Sequence, residues 1–427
     1  MRLGGVALAL VLLPVAAAAP EQVRIGIPSA DPTTQLAVQW LDAQPEQDPK
    51  LTLTTPDGPK TVAASLVPGP TLGFVYEARL TGLAPGTEYA YEVGGRSFSL
   101  RTPPADGSLR FVALGDMATT AQAQATVDEV LALGPDFVLH MGDISYAEGD
   151  PLVWRDWFAM TEPVAASVPW IPAAGNHDVD VQGRDTSQGA LVDPRELAFY
   201  KQRFRTPGED VYYSWDAGGV HFVALDSYAE VRISPDQVAW LKADLAAAKD
   251  AAWRIVYLHE PFFSSNSHGS SQEVQDAFLQ AIEEGGVDLV LQAHDHGYER
   301  SWPMRAGKPT VSSGSTFEQG AGTVYVVSGG AGASLYATWE EPQPAWSAVR
   351  GSFHHVALLE ATPETLSLRV VPTVESDDAV EDSFTIRRAA ADPPGAVPGA
   401  TTDRATPTPA WLALAAAAVA LALRRRR

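Results

Sequence analysis

After Pro103-Pro104 the chain changes its period, and that change restricts the fold more than any other feature of the sequence. Beyond it, short apolar runs at 110–114, 137–141, 254–258 and 287–291 read as buried strands, alternating with helical spacing at 121–133, 236–249 and 272–284. Such alternation predicts an α/β domain whose strands deliver side chains to one crevice at their carboxyl ends. Ahead of the two prolines no helical period is present. Runs at 35–40, 50–54, 73–80 and 88–93, separated by Pro56-Asp57-Gly58, Pro68-Gly69-Pro70 and Pro85-Gly86, predict a β-sandwich.

The division expected from this reading is a leader at 1–19, a sandwich at 21–104, an α/β domain at 105–388, a linker at 389–410 and a tail at 411–427. Arg2, the apolar stretch 6–15 and the alanines at 16–19 follow the order of a signal peptide, which predicts export to the extracellular space, periplasm or cell surface. Residues 411–423 are apolar and stop at four arginines, short of the ~20 residues that span hydrocarbon. Linker, apolar run and arginines resemble the sorting tails of bacterial surface proteins. A hydrophobic anchor with a basic stop is the other reading, and either would attach the protein to a membrane or cell surface.

A formal net charge of −22 argues against nucleic acid as a partner, because phosphate backbones call for a basic footprint. Any site for an anionic ligand would need compensating positive charge placed locally, as bound metal ions would supply. With no cysteine, disulfides and thiolate sites are excluded, so metal ligands must be oxygen and imidazole.

Five short motifs supply such ligands, each at the end of an apolar run. They are Gly115-Asp116, Gly142-Asp143-Ile144-Ser145-Tyr146, Gly175-Asn176-His177-Asp178, the run 256–259 ending in His259, and Ala293-His294-Asp295-His296. Taken singly, Gly-Asp is an ordinary turn and a strand histidine an ordinary core residue. As a set they have a chemical logic. Two cations held ~3.5–4 Å apart repel, so a shared carboxylate is needed, and Asp143 is the candidate. Asp116 and Tyr146 add anionic oxygens suited to a trivalent ion, whereas Asn176 and the histidines are neutral and suit a divalent one.

This ordered set after a β-sandwich resembles the metallophosphoesterase superfamily and, through Tyr146, its purple acid phosphatase branch. The stretches 212–227, 298–300 and 322–330 agree, and 76–94 resembles a fibronectin-III strand pair. The resemblance implies a fibronectin-III-like β-sandwich followed by an α/β metallophosphoesterase domain with two mixed β-sheets flanked by helices. It implies a dinuclear centre in which Asp116, Asp143, Tyr146 and His296 bind Fe(III), while Asp143, Asn176, His259 and His294 bind Zn, Mn or Fe(II). His177 would contact the phosphate. His268 would assist the leaving group, on a loop (262–271) that departs from the family.

The implied reaction is hydrolysis of a small phosphate monoester by a metal-activated hydroxide. A phosphodiesterase or nucleotidase on the same metals is the alternative, with loops 181–194 and 262–271 setting the choice. A non-catalytic surface binding protein would be expected to lack a ligand, and all seven positions are filled. Departures from the family pattern are Ala293 for glycine, Asp178 for glutamate, and Glu260 after His259. His140 and His221 lie in strand-like runs and are expected to pack in the core, while the orientation of His354 and His355 is left open.

Overall fold

The computed structural model describes residues 19–180, 197–208, 210–228 and 233–388. The leader before residue 19, the loop 181–194, the linker and the tail lie outside these described residues.

Seven antiparallel strands between Glu21 and Arg101 make an all-β N-terminal domain. Strand Gly58–Val67 pairs through residues 58–63 with Lys50–Thr55 and through 64–67 with Phe74–Thr81, so it joins two layers. Strand Glu88–Val93 alternates exposed and buried residues along its whole length, the period-two pattern of a strand with one face in the core. Trp40, Tyr76 and Tyr91 fill the space between the layers.

The α/β domain contains two seven-stranded mixed sheets, as the resemblance implies. In the first, Trp170–Ala173, Phe137–Met141 and Leu109–Leu114 run parallel, and His355–Ala361 then adds antiparallel. In the second, Val220–Ala224, Trp253–Tyr257, Leu289–Gln292 and Val324–Ser328 run parallel. Phe111 and Phe137 from one sheet meet Trp215 and Phe222 from the other, with ring centroids 4.9–5.4 Å apart. Each ring so buried contributes roughly 1.5–3 kcal/mol, which fixes how the sheets stack.

Helices Ala121–Leu133 and Gln272–Glu284 occupy the predicted positions. Local chemistry explains their ends: the Thr120 and Ser271 side chains accept from Ala123 N and Val274 N, and Gly134 closes the first helix in the left-handed region. Helix Pro151–Ala165 is an addition to the sequence reading. Its signal was present, with Asp150 capping Leu152 N and Pro151 in the first turn, ahead of Trp154, Trp157 and Phe158 on the buried face.

That helix also receives the N-terminal domain. Val23 N donates to Glu162 Oε2 at 2.9 Å and the Tyr91 hydroxyl to Ala166 O at 2.6 Å. At the opposite edge, the carboxyl ends of the parallel strands of both sheets meet, with Gly115 N donating to Ser328 O at 3.0 Å. The five motifs lie along this edge.

Candidate metal centre

Asp116, Asp143, His259 and His294 each stand two residues beyond a parallel strand, those ending at Leu114, Met141, Tyr257 and Gln292. Asp116, Asp143, Tyr146 and His294 all have positive φ, between 51° and 68°. This conformation is uncommon for residues with a side chain and concentrates at functional sites, where surrounding structure holds it in place. The close approach of the loops requires glycine at position 175, where a Cβ would stand 2.2 Å from Asp143 Oδ1. Ala293 is not among the positive-φ residues, so its methyl group is tolerated.

The seven candidate ligands come together in two groups. In one, the Tyr146 hydroxyl lies 3.2 Å from Asp116 Oδ1 and 2.9 Å from His296 Nε2, which is itself 3.5 Å from Asp116 Oδ1. In the other, His259 Nε2 faces Asn176 Oδ1 at 3.0 Å, His294 Nδ1 at 3.1 Å and Asp143 Oδ1 at 3.3 Å. The second ring nitrogen of His259 and that of His296 are committed elsewhere. His259 Nδ1 donates to Met141 O at 2.8 Å and His296 Nδ1 to Ser334 O at 2.7 Å, which leaves both Nε2 atoms aimed inward.

These spacings fit metal binding. Donor atoms bound at about 2.1 Å in an octahedron stand about 3.0 Å apart, the separation found within both groups. Charge tells the same story. Burial, then Asp116 and Asp143, push the Tyr146 phenol far above its ordinary value, so only a bound cation, by stabilising the phenolate, would displace its proton. Burial opposes charge on both imidazoles of the second group, yet Asp143 lifts His259 to about 10. Burial, then the charge on His259, pushes His294 down to about 2. Two imidazole nitrogens 3.1 Å apart need a proton or a cation between them.

Two further histidines flank the groups. His177 is partly exposed, its ring 4.7 Å from that of Tyr146 and its Nδ1 2.7 Å from Glu148 Oε1. The His268 ring lies 4.3 Å from that of His294. A cleft of about 440 Å³ opens beside His268, lined also by Asn176, His294 and Glu260 among others.

Comparison with known proteins gives this arrangement a family. Residues 109–298 match the model of calcineurin-like phosphoesterases, residues 20–103 that of the purple acid phosphatase N-terminal domain, and residues 322–383 that of iron/zinc purple acid phosphatase-like protein C. The chain belongs to the purple acid phosphatase family. Purple acid phosphatase 18 of Arabidopsis thaliana is 30% identical over 298 residues, 66% of this chain and 64% of that protein. Acid phosphatase type 7 of Homo sapiens is 28% identical over 425 residues, covering 87% of this chain and 91% of its own. The purple acid phosphatase PPD1 of yellow lupin seeds shares the fold, with a TM-score of 0.74 at 23% identity over 87% of this chain and 75% of the lupin chain. The chain spans about half the length, 54%, of Arabidopsis purple acid phosphatases 22 and 21.

Membership of the purple acid phosphatases implies a dinuclear metal centre. Several residues that shape this one were not assigned a role from sequence. Asp178, seen there only as a departure, is buried and accepts from Asp143 N and Ile144 N at 3.0 Å and from Gly175 N at 2.8 Å, tying two ligand loops together. The Tyr336 ring stacks on His296 at 4.1 Å with its hydroxyl 3.4 Å from His268 Nε2. No periodic signal marks its loop.

Of the remaining histidines, His140 packs in the core between Trp157 and Trp170 as expected. His221 is buried but departs from that expectation in kind, held between Asp216 and Asp244 by ion pairs. His354 Nδ1 lies 3.1 Å from Gly330 O, and His355 is buried against Tyr298 and Phe353.

Proposed function

We propose that the protein is an exported phosphatase that hydrolyses small phosphate monoesters at a dinuclear centre of Fe(III) with Zn, Mn or Fe(II). The observation that carries this reading is the convergence of the Tyr146 hydroxyl on Asp116 and His296, next to the separate group of Asp143, Asn176, His259 and His294. Asp116, Tyr146 and His296 would hold the trivalent ion, and Asn176, His259 and His294 the divalent one, with Asp143 shared. Such a centre, when bound, activates the attacking water and neutralises charge on the phosphoryl group.

The protein's own groups do the rest. His177, beside the Tyr146 ring, donates to a phosphoryl oxygen and steadies the charge that builds there. His268, above His294 at the cleft, gives a proton to the departing oxygen. Asp178 and the Nδ1 hydrogen bonds of His259 and His296 hold the ligands in the required orientation. The leader-like residues 1–19 support export.

Metal analysis, a visible spectrum and two substrates test this. The iron-loaded protein is expected to be violet to pink from phenolate-to-iron charge transfer, and Tyr146→Phe to lose the band while keeping the fold. The monoester 4-nitrophenyl phosphate should be cleaved with higher kcat/KM than its bis-aryl diester. A colourless protein with ferric iron bound overturns the iron assignment, and a preference for the diester overturns the monoesterase reading in favour of a phosphodiesterase.

A further inference from the structure

Asp295 stands between His294 and His296 in sequence, is fully buried, and spends both oxygens on the loop that carries His268. Its Oδ1 accepts from His268 N at 2.8 Å, and its Oδ2 from Ser264 Oγ at 2.5 Å and Gly269 N at 3.2 Å. Four residues further on, Glu299 accepts from Ser265 N at 2.7 Å and from Ser265 Oγ at 2.6 Å. The loop 264–269 therefore hangs from two buried carboxylates of the same segment that carries His294 and His296.

Burying a carboxylate is costly unless strong donors surround it, so this fastening is a substantial investment of the fold in one loop. Its effect is specific. It fixes the backbone of His268 so that the ring lies against His294 at 4.3 Å and Nε2 sits 3.4 Å from the Tyr336 hydroxyl. The sequence identified His268 on a loop unlike the family's, and Asp295 with Ser264 is the local means by which that loop reaches the cleft.

We propose that Asp295 is a positioning residue for His268, and that this clamp equips the protein for phosphate esters of aliphatic alcohols; the proposal rests on the monoesterase reading above. In the step concerned, the bond between phosphorus and the ester oxygen breaks and its electron pair stays on that oxygen. His268 supplies the proton that makes it a neutral alcohol, while the oxygen of water bonds to phosphorus and releases one proton to solvent, which restores the proton His268 gave up. An alkoxide is strongly basic and needs that proton in the transition state, whereas 4-nitrophenolate leaves without one.

The test measures kcat on glycerol 2-phosphate and on 4-nitrophenyl phosphate for the two-metal protein and for Asp295→Asn, Ser264→Ala, His268→Asn and the Asp295→Asn/His268→Asn pair. Metal content and backbone amide exchange over 264–270 are measured alongside. A positioned general acid contributes about 10²–10⁴-fold, so Asp295→Asn should lower kcat on glycerol 2-phosphate by about 10- to 100-fold and change kcat on the aryl ester by less than about threefold. Amides of His268 and Gly269 should exchange faster, and the double variant should lose no more than His268→Asn alone.

Ser264→Ala leaves the ligand-bearing turn untouched and should shift the ratio of the two esters in the same sense, which decides the matter even where Asp295→Asn sheds metal. Equal losses on both esters at full metal content, or additive losses in the double variant, overturn the clamp. Wild type that cleaves neither ester overturns the monoesterase reading and the clamp with it. Wild type that cleaves both, with a ratio none of the variants alters, overturns the clamp alone.

Discussion

Replacing His221 with glutamine should remove a stabilisation that exists only at neutral and acid pH. The imidazole is 7% exposed, with Nδ1 2.9 Å from Asp216 Oδ1 and Nε2 2.8 Å from Asp244 Oδ2. Burial alone would lower its pKa, but hydrogen bonds to the two carboxylates raise it to about 9 from an ordinary value of 6.5. At about 1.4 kcal/mol per pH unit this amounts to roughly 3 kcal/mol. The Asp216 side chain is 68% exposed and therefore screened by water, which reduces the figure to about 2 kcal/mol. Because the folded pKa is raised, the contribution is complete below about pH 6.5 and is lost as pH rises through about 9. Urea unfolding of wild type and His221→Gln at pH 6 and pH 10 reads it directly. Differencing the two proteins cancels the pH dependence of metal binding, since His221 lies in neither ligand group. The gap between them should be about 2 kcal/mol wider at pH 6 than at pH 10. An equal gap at both pH values, or a wider one at pH 10, refutes the ion-pair account.

Three further outcomes follow from the candidate centre. Asp143→Ala should lose both metals together, because one carboxylate serves two ions, and retention of two per chain by metal analysis contradicts the sharing. Gly175→Ala places a methyl group 2.2 Å from Asp143 Oδ1 and should bring metal content below two per chain, so full occupancy with wild-type activity would refute the close-approach argument. Asp178→Asn sets an amide NH₂ against at least one of three buried N–H donors and should cost about 2–4 kcal/mol in unfolding free energy, while an unchanged urea midpoint speaks against Asp178 tying the two ligand loops together.

Local periodicity and turn chemistry were enough to place the strands that deliver the candidate ligands and to predict where those ligands would emerge, though not helix Pro151–Ala165. Helices Ala121–Leu133 and Gln272–Glu284 were legible because an apolar stripe and side-chain caps are properties of neighbouring residues. The five motifs were legible because each follows a strand, and parallel strands expose their carboxyl ends on one edge. What no local pattern encodes is which distant groups meet. Tyr146 finds His296 across 150 residues and Asp143 is held by Asp178 across 35, contacts set by how two sheets stack on Phe111, Phe137, Trp215 and Phe222. His221 shows the limit most plainly. Its strand pattern predicts an apolar neighbourhood, and only the packing of helix Pro235–Ala247 and the adjoining strand Tyr213–Ala217 brings Asp244 and Asp216 to its two nitrogens. Sequence fixes the side-chain period along each element, but the partner across a gap depends on the relative placement of elements, and that is decided by burial summed over the whole core.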